Sequence, residues 1–418
     1  MRPGRLVLLA AAVAVALGGC SSPSATTVHP SAVPNSAPTR ATAETRTPTP
    51  TFPPSPTPTS TSVSPTQTAT VTASPTASPA PGLSLAQCVG QLFMVGSPAT
   101  TAASATIGDV ADLGVGGVFL SGRSTAGAAV TSQVTREFQA SDRSTQPLLI
   151  ATDQEGGEVQ VLRGPGFSDI PSAETQASMS PAALASAARA WAAELRAAGV
   201  DMDLAPVSDV IVSAQQAAAN PPIGQLQREY GYGAASVLPH AEAFESGMRA
   251  GGVVPVAKHF PGLGAVTANT DFSAGVTDTT TTAASPSVAV DRSLIADGLP
   301  VVMVSSAIYS QLAPGVPAVF AQSVVTTLLR AQLGFGGVIM TDDVSAAQQL
   351  AAWSPAERAI LAIGAGVDLV LVSAAPEEAP EMIAGVLSTA RTTPAFAAQV
   401  ESACARVVQL KERYLPPR

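Results

Sequence analysis

The chain has 418 residues, with 21 basic and 30 acidic side chains and a net charge of -9. That length accommodates two or three ordinary domains or one large barrel with appendages. The acidic balance, with only Lys258 and Lys411 as lysines, excludes a nucleic-acid binder, which needs a basic footprint. Three cysteines exclude a disulfide scaffold, and three histidines (His29, His240 and His259) argue against a His-rich metal site, so no metal or other cofactor is expected.

Residues 1–20 read as an export signal. Arg2 and Arg5 precede an apolar run from Leu6 to Leu17, which is short for a membrane-spanning helix. Leu17-Gly18-Gly19-Cys20 resembles a bacterial lipobox, which makes Cys20 a candidate for lipidation; plain secretion is the alternative. Residues 21–83 are rich in Pro, Thr, Ser and Ala. With little to bury, such a stretch cannot offset the entropy of ordering, and it is expected to be a disordered, extended tether. The expected location is therefore outside the cytoplasm, anchored to the membrane by lipid.

Residues 84–418 have globular composition. Short apolar runs fall at Leu92–Val95, Gly117–Leu120, Leu148–Thr152, Val200–Ala205, Val253–Ala257, Val301–Ser305, Gly337–Met340 and Leu369–Val372. Continuous rather than alternating apolarity marks strands buried on both faces. Helical stretches alternate with them at about 127–140, 181–198, 234–250, 323–332, 355–364, 376–389 and 395–413. Of these, Pro181–Ala198 has the clearest ends, with Ser180 as N-cap and Gly199 as stop. Eight strand–helix units predict an α/β fold, a (β/α)8 TIM barrel. A doubly wound open sheet is the rival, weakened because no G-x-G-x-x-G follows the first strand.

Barrel chemistry gathers at the C-terminal strand ends. There stand Asp153-Gln154-Glu155-Gly156-Gly157, then Asp201, Asp203 and Asp209, then Lys258-His259-Phe260-Pro261-Gly262, and finally Asp342-Asp343. Carboxylates, a lysine and a histidine at one rim suit a polyhydroxylated substrate. The plainer readings are a tight turn at Gly156-Gly157, a buried structural acid at Asp203, backbone amides bound by Glu155, and a helix N-cap at one of Asp342 and Asp343. Lys258 beside His259 is the pair hardest to explain as structure alone.

The blocks Asp153-Gln154-Glu155-Gly156-Gly157, Leu204-Ala205-Pro206-Val207-Ser208-Asp209-Val210, Lys258-His259-Phe260-Pro261-Gly262 and Met340-Thr341-Asp342-Asp343 resemble glycoside hydrolase family 3 from about residue 85 to 410. The nearest branch is its single-domain β-N-acetylhexosaminidases of cell-wall turnover. The resemblance implies the TIM barrel, no cofactor, and a carbohydrate partner containing N-acetylglucosamine from peptidoglycan fragments. It implies Asp342 as the catalytic nucleophile of a retaining exo-glycosidase, and Asp153, Arg228, Lys258 and His259 as substrate-binding residues. A further family arginine falls on Val161, so that contact is either absent or replaced by nearby Arg163. The departure lies in the loop from Gly262. Where the family carries an acid/base Asp-Ser-His, this chain has Asn269 and Asp271 at the Asp and His positions. Either Asp271 is the general acid, or the protein is a weak hydrolase, a transferase, a phosphorylase or another β-glycosidase, or a sugar-binding lipoprotein. Barrel closure would bring the first and last units together, so Cys88 and Cys404 are either a disulfide or two small buried side chains.

Overall fold

A computed structural model describes residues 82–416. The signal segment, Cys20 and the Pro/Thr/Ser-rich stretch lie outside the described residues.

The eight apolar runs form eight parallel strands closed into a barrel. They are β1 (Phe93–Pro98), β2 (Gly117–Ser121), β3 (Leu149–Thr152), β4 (Met202–Asp203), β5 (Val254–Phe260), β6 (Val301–Val304), β7 (Val338–Asp343) and β8 (Leu369–Val372). Closure comes from β1 pairing with both neighbours, Phe93 opposite Val370 on β8 and Met94 opposite Gly117 on β2. The open sheet is thereby set aside.

The continuous apolarity of the strands has a direct cause in the packing. Met94, Phe119, Leu149, Met202, Val254 and Met303 fill the barrel interior, with their neighbours on the other strands. The alternate residues, such as Val95, Val118, Ile150 and Val302, join a second core beneath the helices. Side chains pack against both faces of the strands, so polar residues are confined mainly to their C-terminal halves.

The expected helices are present, with shifted limits: Ala128–Ser141, Pro181–Ala197, Ala234–Ala250, Pro355–Ala365, Ala379–Thr392 and Pro394–Tyr414. Ser180 caps the second of these by accepting from the Ala183 amide. The stretch expected at 376–389 starts instead as a tight turn, Pro376–Glu378, because Pro380 favours the first turn of the helix that follows. Segment Ser323–Gln332 is wound wider than an α-helix. Helix Pro286–Ala296 and the opening helix Leu85–Gln91 were not anticipated; the latter is fixed by a reciprocal Ser84–Gln87 cap. That opening helix meets the final one, and Cys88 and Cys404 are disulfide-bonded there, with 5.2 Å between their Cα atoms and a sequence separation of 316.

Candidate active site

One pocket of about 760 Å³ opens at the C-terminal ends of the strands. Asp153, Arg228, Lys258, His259, Asp271 and Asp342 all line it. Every catalytic or sugar-binding residue expected from the sequence is therefore brought to one place.

Two irregularities deliver these side chains. The β5–β6 register shifts between Ala257 and Phe260, so consecutive Lys258 and His259 both reach the pocket instead of alternating. The β7–β8 register shifts between Met340 and Asp343, and Asp342 and Asp343 likewise both line it.

The floor is a closed charge network. Lys258 Nζ lies 2.6 Å from Asp153 Oδ1 and 2.7 Å from Glu155 Oε1. Arg228 donates from Nε at 2.8 Å and from Nη2 at 2.7 Å to the two oxygens of Glu155, and from Nη1 to the Pro222 carbonyl. Glu155 was expected to bind backbone amides; it instead bridges the two cations, because it follows β3 directly and points under them. Burial would raise its carboxyl, but the charges and hydrogen bonds of Arg228 and Lys258 outweigh that and hold it at about 2. Burial works against the Lys258 charge, and Asp153 and Glu155 overcome it and raise its pKa. Beneath them Asp203 is fully buried. It accepts from the Gln154 amide at 2.9 Å, its other oxygen has no hydrogen-bond partner among the described residues, and burial pushes it well above the carboxylate range. This agrees with a structural acid.

His259 is held by Asp209, whose Oδ2 lies 2.8 Å from His259 Nδ1 and whose Oδ1 accepts from the Leu263 amide at 2.6 Å. Asp343 is not a helix cap. Its carboxylate accepts from Ser345 Oγ and from the amides of Ala346 and Ser373, pinning the β7 and β8 loops, while Ser354 caps the next helix. Asp342 accepts only from the Asp343 amide among the hydrogen bonds described and stays half-buried. Arg163 does not take over the family arginine's place: its guanidinium serves the Gly157 carbonyl and Asp169, away from the residues that line the pocket. His240 bonds the Ser236 and Met179 carbonyls within its helix packing.

The loop after β5 already lies over the pocket. The Gln348 amide donates to the Asp271 carbonyl at 3.2 Å, the Gln349 amide to that of Thr270 at 3.0 Å, and the Gln349 side chain brackets Val276 from both sides. Gly264 packs rather than hinges, since a Cβ there would lie 2.0 Å from the Val210 carbonyl oxygen. Asn269 Oδ1 accepts from the Asp271 backbone amide at 2.8 Å. Asp271 is exposed by surface area but crowded by protein atoms. That burial, then repulsion from Asp342 and Asp343, raises its carboxyl to about 6 against the pull of His259 and Arg228. Water in the open pocket screens part of this effect.

A parallel barrel whose strand ends present a nucleophile-competent carboxylate, a raised second carboxyl and a charge-balanced polar floor has the parts of a glycoside-cleaving barrel. The comparisons agree. A sequence profile of the glycosyl hydrolase family 3 N terminal domain matches residues 84–410. A β-hexosaminidase of Bordetella avium is 32% identical over 299 residues, covering 68% of this chain and 83% of that protein. The crystal structure of a β-N-acetylhexosaminidase from Beutenbergia cavernae is 55% identical, covers 79% of this chain and 99% of that one, and superimposes with a TM-score of 0.78. A family 3 β-N-acetylglucosaminidase from Paenibacillus is 29% identical over 80% of this chain and 63% of that one, with a TM-score of 0.72. The chain belongs to glycoside hydrolase family 3.

The sequence passed over Glu155 and Asp209 as working parts of the site. Both sit in blocks already singled out, but neither touches the pocket itself, and only the partners they hold show their purpose.

Proposed function

We propose that the protein is a retaining exo-β-N-acetylhexosaminidase that removes terminal N-acetylglucosamine from cell-wall saccharides. The observation that carries this reading is the joint placement of Asp342 and the raised carboxyl of Asp271 on one pocket above the Asp153–Lys258–Glu155–Arg228 floor. Asp342 attacks the anomeric carbon and forms a glycosyl ester, while Asp271 protonates the departing oxygen; water then resolves the ester with Asp271 as base. The floor holds the ring hydroxyls through Asp153, Lys258, His259 and Arg228. The 55% identity to a β-N-acetylhexosaminidase supports the N-acetyl sugar over a plain glucoside.

Two measurements test it. Aryl N-acetyl-β-glucosaminide should be cleaved far faster than aryl β-glucoside, and a slow fluoro-sugar should add one covalent sugar on Asp342 by mass spectrometry. Preference for the glucoside, or no adduct with full activity, sinks the reading. For location, Cys20 in its lipobox supports a lipid-anchored protein outside the cytoplasm. In that case Cys20→Ala should move it from the membrane fraction to the medium, and unchanged fractionation overturns the anchor.

A further inference from the structure

Phe272 is 81% exposed, the highest exposure among the large hydrophobic side chains described, and it lines the pocket immediately after Asp271. An aromatic of this size is normally buried, since burying it is worth about 1.5–3 kcal/mol. Its backbone is not adrift: the Phe272 amide donates to the Asn269 carbonyl at 3.2 Å, and the neighbouring Asp271 carbonyl accepts from Gln348. A fixed loop thus presents an unspent aromatic face at the mouth.

Position then decides what meets that face. The hydroxyl-binding groups lie on the floor, and Asp342 at the end of β7 must face the anomeric carbon. The leaving group therefore projects outward past Asp271, toward Phe272, Leu226 and Ala347, all of which line the same pocket. At about 760 Å³ the pocket stands in the upper half of the ~300–1,000 Å³ usual for ligand sites, which leaves room beyond one bound ring. Of the charged groups lining it, Arg228 and Lys258 are committed to Glu155 and Asp153, while Asp271, Asp342 and Asp343 are acidic. An apolar platform fits the uncharged face of a pyranose.

We propose that Phe272 is the platform of a leaving-group subsite that stacks the uncharged face of a second sugar ring, making it a specificity-determining residue. The proposal rests on the glycosidase reading. Its test compares kcat/KM on N,N′-diacetylchitobiose, which fills the subsite, with N-acetyl-β-glucosaminyl fluoride, whose leaving group is a single atom. For Phe272→Ala, the disaccharide-to-fluoride ratio should fall roughly tenfold, and Phe272→Trp should restore it. Because the side chain is exposed, the alanine variant should fold as the parent does, checked by its melting temperature. An unchanged ratio overturns the platform and leaves the glycosidase standing. A parent that turns over neither substrate overturns the glycosidase reading itself.

Discussion

Glu155→Gln is the most informative single change in the floor. The amide keeps the shape but removes the charge and half of the acceptor capacity, so Arg228 loses its two-pronged partner and Lys258 keeps only Asp153. Removing one partner of a buried pair costs about 3–5 kcal/mol, because an uncompensated charge is left behind. The titration gives the same scale. A carboxyl held at about 2 in the fold, against 4.5 as the ordinary value, is worth roughly 3 kcal/mol at neutral pH. For a domain of about 330 residues this lowers the melting temperature by roughly 4–7 °C. Because the folded pKa is depressed, the contribution is full above the unfolded value of 4.5 and fades as pH falls toward 2. The difference between parent and variant should therefore be full at neutral pH and already narrower at the acid end of the range where both still fold. Calorimetry across that range measures it. In parallel, misplacement of Lys258 and Arg228 should lower kcat/KM on the order of 10²-fold. A variant as stable as the parent at neutral pH, or a gap that does not change with acidity, refutes the bridging role.

Asp271→Ala should slow cleavage of poor leaving groups by about 10²–10⁴-fold and spare those with dinitrophenol, while Asp342→Ala should abolish both. If Asp271→Ala behaves like the parent on every substrate, Asp271 is not the acid, and the weak-hydrolase or sugar-binding reading gains. With the Asp271 carboxyl at about 6, activity on poor leaving groups should fall as pH rises through that value, and Asp271→Asn should erase this limb of the profile. Closing a loop at a sequence separation of 316 stabilises by roughly 6 kcal/mol in the chain-entropy model, so Cys88→Ser with Cys404→Ser should melt roughly 8 °C lower; equal melting points argue that the bridge contributes nothing.

The barrel was legible because its physics is local. A strand buried on both faces must be apolar throughout, and the first polar residue after it must face the rim. That alone located Asp153, Lys258 and Asp342. Asp271 was legible only by alignment to the family loop, for nothing nearby in sequence shows that its segment is tied to Gln348 and Gln349. The same holds for Glu155, whose partners Arg228 and Lys258 lie 73 and 103 residues away. The packing of the loop was hidden in the sequence for a related reason. Glycine permits both motion and close approach, and only the Val210 carbonyl pressing on Gly264 shows which is meant.

On the proposed mechanism, an aspartate serving as acid and base has a physical basis in the charge of this pocket. On the floor, Asp153 and Glu155 balance Lys258 and Arg228, so the net charge facing the substrate comes from Asp271, Asp342 and Asp343. Of these, Asp271 is the one that burial and the other two push up to about 6, which leaves a proton on it in weakly acidic surroundings. On the proposed mechanism, Asp342 loses its charge when it becomes a glycosyl ester. One of the two repulsions on Asp271 then vanishes, and its carboxyl falls toward the ordinary range, the direction a general base needs. A donor in the first step thus becomes an acceptor in the second without any movement of the loop, which the hydrogen bonds to Gln348 and Gln349 hold in place. Titration of the Asp271 carboxyl by NMR in the free enzyme and in the fluoro-glycosyl enzyme reads this directly. A lower pKa in the trapped enzyme supports the cycle, and an equal or higher one refutes it.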